Sequence, residues 1–218
     1  MAKVLNIEAR KKFDFDEIDF SLLDGIPNET ISVAGSVQYL DLIPLVKDYL
    51  EKKGKRVLVK KGAYYIGHVL GCNSSAFDLS ADEFLLLCDG KFHAKNNAIQ
   101  IQKEIYIFNG NSLEKITRQE IEEHNRKTKG KKTKFLSAEK VGLIVSVKEG
   151  QNFKGIENIR DKISKLNKKV YIFEADNIDL NEFENFPEIK IWVNTACFGL
   201  ARDDKRIINL VDVLEFLN

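Results

Sequence analysis

Three cysteines carry the most chemical potential in this sequence. Cys72 stands in Gly67-His68-Val69-Leu70-Gly71-Cys72-Asn73. Cys88 closes Asp82-Glu83-Phe84-Leu85-Leu86-Leu87-Cys88. Cys197 lies in the small polar turn that follows Lys190-Ile191-Trp192-Val193, within Asn194-Thr195-Ala196-Cys197-Phe198-Gly199. The count is odd, and Met1-Ala2-Lys3 leads into no apolar leader. Both features point to a reducing, cytoplasmic setting, where cysteines act as metal ligands, catalytic groups or core residues. No C-x-x-C pair exists, which argues against zinc-ribbon and thioredoxin chemistry. Iron–sulfur chemistry would require distant thiolates to converge on one point. The plain alternative is a set of buried thiols acting as small hydrophobes.

What positions these thiols is an alternation of strands and helices. Strands are expected at residues 3–7, 30–37, 56–59, 82–88 and 104–109, with a helix over 39–53 on the spacing of Leu42, Ile43, Val46 and Leu50. Gly54 is a suitable stop for that helix. A short helix is expected near 94–102. Helical spacing continues at Leu113, Ile116 and Ile121. The basic run Arg126-Lys127-Thr128-Lys129-Gly130-Lys131-Lys132-Thr133-Lys134 then reads as a solvated segment. A patch for an acidic or RNA-bearing partner is the second reading of that run, although no aromatic residue is interleaved with the lysines. From Ala138 the order restarts, with strands at 141–147, 170–173 and 189–193 and helices at 155–166 and 179–186. Residues 207–217 read as a closing strand with a short helix, or as a helix alone.

Both halves run strand, helix, strand, short helix, strand. This predicts an α/β protein of two tandem doubly wound domains with parallel sheets. The expected division is a first domain at 1–115, a linker helix and basic segment at 116–137, and a second domain at 138–218. All three cysteines then fall at carboxyl ends of strands, the rim where such sheets bind ligands.

Composition narrows the function classes. Hydrophobic content is 44% and the net charge is +1, so no global field favours nucleic acid or membrane. No apolar run approaches the ~20 residues of a transmembrane helix. Neither G-x-G-x-x-G nor G-K-[ST] occurs, and no Ser/His/Asp signature is visible. The sequence therefore does not read as a dinucleotide, nucleoside triphosphate or serine-hydrolase enzyme.

Several stretches carry a resemblance. Gly67-His68-Val69-Leu70-Gly71-Cys72-Asn73, then Ala81-Asp82 with Asp89-Gly90-Lys91-Phe92-His93, is similar to the second domain of the diphthamide-synthesis radical enzymes, the archaeal 2-(3-amino-3-carboxypropyl)histidine synthases. Ser36-Val37-Gln38-Tyr39-Leu40, Lys148-Glu149-Gly150-Gln151, and Asn194-Thr195-Ala196-Cys197 with Asp203-Asp204 match in the same order. The resemblance implies three similar α/β domains, each giving one cysteine to a [4Fe-4S] cluster that cleaves S-adenosylmethionine. The 3-amino-3-carboxypropyl group is then added to a histidine of translation elongation factor 2.

On that resemblance Cys72 and Cys197 are cluster ligands, and His93 lines the pocket. Gln38 and Gln151, in equivalent turns, are candidate cofactor contacts, with capping as the plainer role. Asp203 is a candidate for the amino group of S-adenosylmethionine, or an N-cap. The departures are specific. The counterpart of the family's first domain is missing from the sequence, Cys88 replaces a glycine, His68 replaces a glutamine, and Gly199 stands where arginine is usual. The third thiolate is expected either from Cys88 or from a separate polypeptide. The expected partners are elongation factor 2 and a second copy or second synthase subunit, with no membrane and no direct nucleic acid contact. The alternative is a cluster-free, domain-deleted subunit that docks on a catalytic synthase.

Overall fold

The computed structural model describes residues 7–148 and 151–217, apart from the Asp203 side chain. The strand expected at 3–7 lies outside the described residues except for Ile7. The chain divides into two compact units, Met1–Ile121 and Glu122–Asn218.

The first unit contains β1 (Thr30–Gly35), α1 (Ile43–Lys52), β2 (Arg56–Leu58), β3 (Glu83–Leu87), α2 (Lys91–Ile101), β4 (Ile105–Phe108) and β5 (Leu113–Ile116). The sheet order is β2-β1-β3-β4-β5. The continuous apolar run of β3 is what a strand covered on both faces requires. Alternation divides it: Leu85 and Leu87 pack with Val46 and Leu50 of α1, and Phe84 and Leu86 pack with Ala94 and Ala98 of α2. One helix thus covers each face. The chain reverses its winding between β1 and β3, which makes the carboxyl ends of that pair the switch point.

The second unit contains most of α3 (Arg118–Ser137), then β6 (Lys140–Ser146), α4 (Ile156–Ser164), β7 (Lys169–Ala175), β8 (Ile191–Asn194), α5 (Leu200–Asp203), β9 (Ile207–Asn209) and α6 (Leu210–Val213). Its sheet is parallel throughout, in the order β7-β6-β8-β9. This repeats the second-first-third-fourth order of the first unit. Trp192, fully buried in β8, lies opposite Gly142 of β6. A Cβ at Gly142 would come within 2.2 Å of Trp192 Cε3, so only glycine fits there.

Two expectations need correction. Leu113–Ile116 is not helical but forms β5, antiparallel to β4, so the first sheet has one antiparallel edge. The cause is turn chemistry. Asn109 Oδ1 accepts from the backbone N–H of Asn111 and Ser112, and Gly110 has φ 105°, which folds the chain back as a hairpin. The basic run is not a loop either. It continues α3 without a break, supported by an i,i+4 pair between Glu123 and Lys127 and anchored by buried Phe135. Among the described residues no helix is long and apolar enough to cross a membrane.

Candidate functional site

Cys72 is exposed at the tip of a tight turn. The turn exists because residues 67–69 extend the sheet past the end of β1: Gly35 N donates to Gly67 O at 2.8 Å and Val69 N to Gly35 O at 3.0 Å. Gly67 adopts φ 75°, which a side chain would strain. Leu70 and Asn73 then exchange backbone hydrogen bonds of 3.0 and 3.2 Å, leaving Gly71 and Cys72 at the apex. Helix α2 grips this apex. Buried Asn97 donates to Leu70 O at 3.0 Å, and Gln100 donates to Gly71 O at 2.9 Å.

Around this turn stand two histidines. His68 is only 3% exposed, tilted against the rings of Tyr64 and Tyr65, and its Nδ1 has no hydrogen-bond partner. His93 is half-buried and meets Phe92 edge-on. Burial lowers the pKa of both, which favours neutral imidazoles. Asn97 Oδ1 is likewise buried without a partner.

Cys88 is built differently. It lies 1% exposed in the core beside Phe84, Val69 and Ala94, and its Sγ donates weakly to Gly90 O at 3.5 Å. Burial, and secondarily the charge of Asp89, pushes the thiol pKa up to about 12. Beyond the same strand ends, Lys11 Nζ donates to the hydroxyl of buried Tyr39 at 2.8 Å and lies 3.7 Å from Asp89. Gln38 is exposed in the adjoining Val37–Leu42 turn, where its carbonyl accepts from Lys11 N at 3.1 Å. The Lys11–Tyr39–Asp89 cluster was not singled out in the sequence, because Lys11 belongs to an irregular arm with no periodic signal.

In the second unit, half-buried Cys197 sits three residues past β8. Two buried asparagines at paired positions of β8 and β9 fix its loop. Asn194 Nδ2 donates to Cys197 O at 2.8 Å and to Asn209 Oδ1 at 2.7 Å, and Asn209 Nδ2 donates to Phe198 O at 3.2 Å. Thr195 ties the same loop to Ile144 O of β6 at 2.8 Å. Asparagine at the end of an apolar strand was the available signal. Gln151 is exposed in a turn, its N–H donating to Lys148 O at 3.0 Å. The Asp203 side chain lies outside the described residues. Its neighbour Asp204 is taken up by Arg206, at 2.8 Å from Nη2. Burial raises the Asp204 pKa, but these Arg206 hydrogen bonds outweigh it and hold the carboxyl below the usual range. Among the described residues no three His, Cys, Asp or Glu side chains form a group that could hold a metal ion.

Two α/β units of identical winding, each presenting an accessible thiol on a pinned loop past its strand ends, define a repeat-built α/β protein with a cysteine at each rim. The family model of diphthamide synthesis proteins, described as putative diphthamide synthesis protein, matches residues 1–207, and the chain belongs to that family. The chain is 26% identical to the 2-(3-amino-3-carboxypropyl)histidine synthase of Pyrococcus horikoshii, over 80% of this chain and 52% of that protein. It is 25% identical to the synthase subunit 1 of Schizosaccharomyces pombe, over 92% of this chain and 49% of that protein. The chain spans about half the length of the curated relatives it matches. The crystal structure of Dph2 from P. horikoshii has the same fold, with a TM-score of 0.77 over 88% of this chain and 58% of that one, at 24% identity. A second Dph2 structure, with a 4Fe-4S cluster, matches at a TM-score of 0.75.

The thiols can be tested against such a cluster. Cys72 is exposed and Cys197 half-buried, each on a loop tied by side-chain hydrogen bonds. Cys88 differs from both in being 1% exposed, with its sulfur packed in the apolar cluster of Phe84, Val69 and Ala94.

Proposed function

We propose that this chain acts in diphthamide biosynthesis, in the cytoplasm, as an enzyme or enzyme subunit transferring a 3-amino-3-carboxypropyl group from S-adenosylmethionine to a histidine of translation elongation factor 2. Cys72 and Cys197 are two ligands of a [4Fe-4S] cluster, the remaining protein thiolate coming from outside these 218 residues. The observation that carries this reading is the matched presentation of an accessible cysteine by each unit, on loops locked by the buried amides of Asn97 and Asn194.

When bound, the cluster supplies the electron that splits S-adenosylmethionine. The chain's own residues hold and orient. Asn97 and Gln100 fix the Cys72 turn, and Asn194, Thr195 and Asn209 fix the Cys197 loop. Gln38, Gln151 and Asp203 are the proposed contacts to S-adenosylmethionine. His93, neutral because burial lowers its pKa, can accept or donate a proton at a ring nitrogen beside the Cys72 turn.

A second reading has its own support. With Cys88 committed to the core, this chain offers two candidate thiolates, which suits a subunit that docks on a catalytic synthase and holds no cluster alone. Anaerobic reconstitution with iron and sulfide, of this chain alone and mixed with a catalytic synthase, separates the two. Four irons per cluster, with the spin-resonance signal of a reduced cluster, lost in Cys72→Ser and Cys197→Ser but kept in Cys88→Ser, support the ligand assignment. Iron bound equally by the Cys72→Ser and wild-type chains sinks it.

A further inference from the structure

The second unit leaves one long sheet edge open. β7 is the outer strand of the order β7-β6-β8-β9 and pairs in parallel with β6. Lys169 N donates to Glu139 O at 2.7 Å, and Val147 N donates to Ala175 O at 3.2 Å. Residues 169, 171, 173 and 175 therefore turn their backbone groups toward β6. The alternation of the strand then aims the N–H and C=O of Val170, Ile172 and Glu174 outward. Among the described residues no hydrogen bond reaches these outward groups.

The other edge strands are short. β2 and β9 have three residues each, and β5 has four, including Glu114 and Lys115. β7 has seven and no proline, and its only charges, Lys169 and Glu174, flank Val170-Tyr171-Ile172-Phe173. A long apolar edge of this kind invites pairing with another strand. The space beside it is a groove of about 540 Å³, lined by Phe186 and Ile189 of the Trp192 cluster and, from α4, by Arg160. The Arg160 charge is met by Asp161 at 2.9 Å and by Glu157. What fits is a strand with apolar residues on both faces, and β7 is itself such a strand. Laid antiparallel about a two-fold axis at Ile172, two copies pair in a register that uses every outward group. Ile172 then stands opposite Ile172 of the copy and Val170 opposite Glu174, each pair exchanging N–H and C=O bonds. Between them Tyr171 lies opposite Phe173, an aromatic cross-strand pair. Just past the strand ends Lys168 stands opposite Asp176, so the charges there are opposite in sign.

We propose that a second copy of this chain docks on this edge, β7 against β7, joining two four-stranded sheets into one continuous sheet. The interface stands apart from the cluster reading and needs no iron.

The test follows the full chain by analytical ultracentrifugation over a dilution series and by residue-resolved hydrogen exchange. A dimer is expected in which the Val170, Ile172 and Glu174 amides exchange as slowly as those of Tyr171 and Phe173. Those three amides, and not the other two, should lose protection on dilution. Glu174→Pro removes an outward donor and no bond to β6, a replacement that an edge strand tolerates. It should weaken dimerisation about thirtyfold, because the donor is lost twice across the two-fold axis. Ile172→Lys, which opposes like charges at the axis, should also give monomers. Circular dichroism should report the native fold for both variants. A monomer at every concentration, a dimer whose Val170, Ile172 and Glu174 amides exchange freely, or a folded Glu174→Pro chain that dimerises like the wild type would overturn the proposal. So would protection of those amides only on addition of a catalytic synthase, which would assign the edge to another polypeptide.

Discussion

Asn97 donates from one amide nitrogen to Leu70 O at 3.0 Å and to His93 O at 2.8 Å. A single buried side chain thereby joins the Cys72 turn to the helix that carries His93. Removing it takes one donor from Leu70 O, which keeps only the Asn73 N–H at 3.2 Å.

Asn97→Ala should therefore destabilise the protein by about 1 kcal/mol. It should also speed hydrogen exchange at the Leu70 and Asn73 amides, which close the turn. Denaturant midpoints and amide exchange measure the two effects. Unchanged exchange would show that Gln100 alone holds the turn.

Cys88 should differ from Cys72 toward alkylating reagents. In the native protein at mildly alkaline pH, Cys72 should be modified and Cys88 spared until unfolding, as read by mass spectrometry. The thiol also makes stability pH-dependent. Its folded pKa, pushed up to about 12 from 9.0, lies above that of the unfolded chain. The unfolded chain ionises first, so stability is full below pH ~9 and falls as pH rises toward 12, by about 1.4 kcal/mol per unit. A Cys88→Ala variant should lack this part of the alkaline slope.

Gly142→Ala should cost about 1–3 kcal/mol, because the new methyl would lie 2.2 Å from the Trp192 ring and must displace it. Trp192 is the protein's single tryptophan, so its fluorescence reports the displacement directly. A variant with wild-type emission and midpoint would mean that β6 and β8 can separate without loss.

Asp204→Asn should destabilise the second unit by about 1 kcal/mol at neutral pH by breaking the Arg206 pair. Because the folded carboxyl titrates below the ordinary aspartate value, this stabilisation is present above pH ~4 and disappears as pH falls below it. The difference between wild type and variant should close in acid. A gap that persists there would assign the effect to packing.

Much of the scaffold was legible in the residues. Apolar runs such as Phe84-Leu85-Leu86-Leu87 and Ile191-Trp192-Val193 announce strands covered on both faces, and the 3.6-residue spacing of Ile43, Val46 and Leu50 announces the helix that covers one of them. Hydrophobic periodicity is a local property, so sequence reveals it. β5 was not legible, because four residues fit either period and the Asn109 turn decided the matter. The basic run was not legible either, since lysine is at home in loops and helices alike.

By itself, then, the sequence determined two α/β units, their repeated order, and motifs that put Cys72 and Cys197 on loops after strands. The tertiary structure decided which thiols are reachable, that Asn97 and Asn194 lock their loops, and that Lys131 is buried. The physical reason is that burial and hydrogen-bond partnership arise between residues far apart in the chain. Cys72 and Cys88 are the same residue type, and the packing around each sulfur makes one accessible and the other a core thiol.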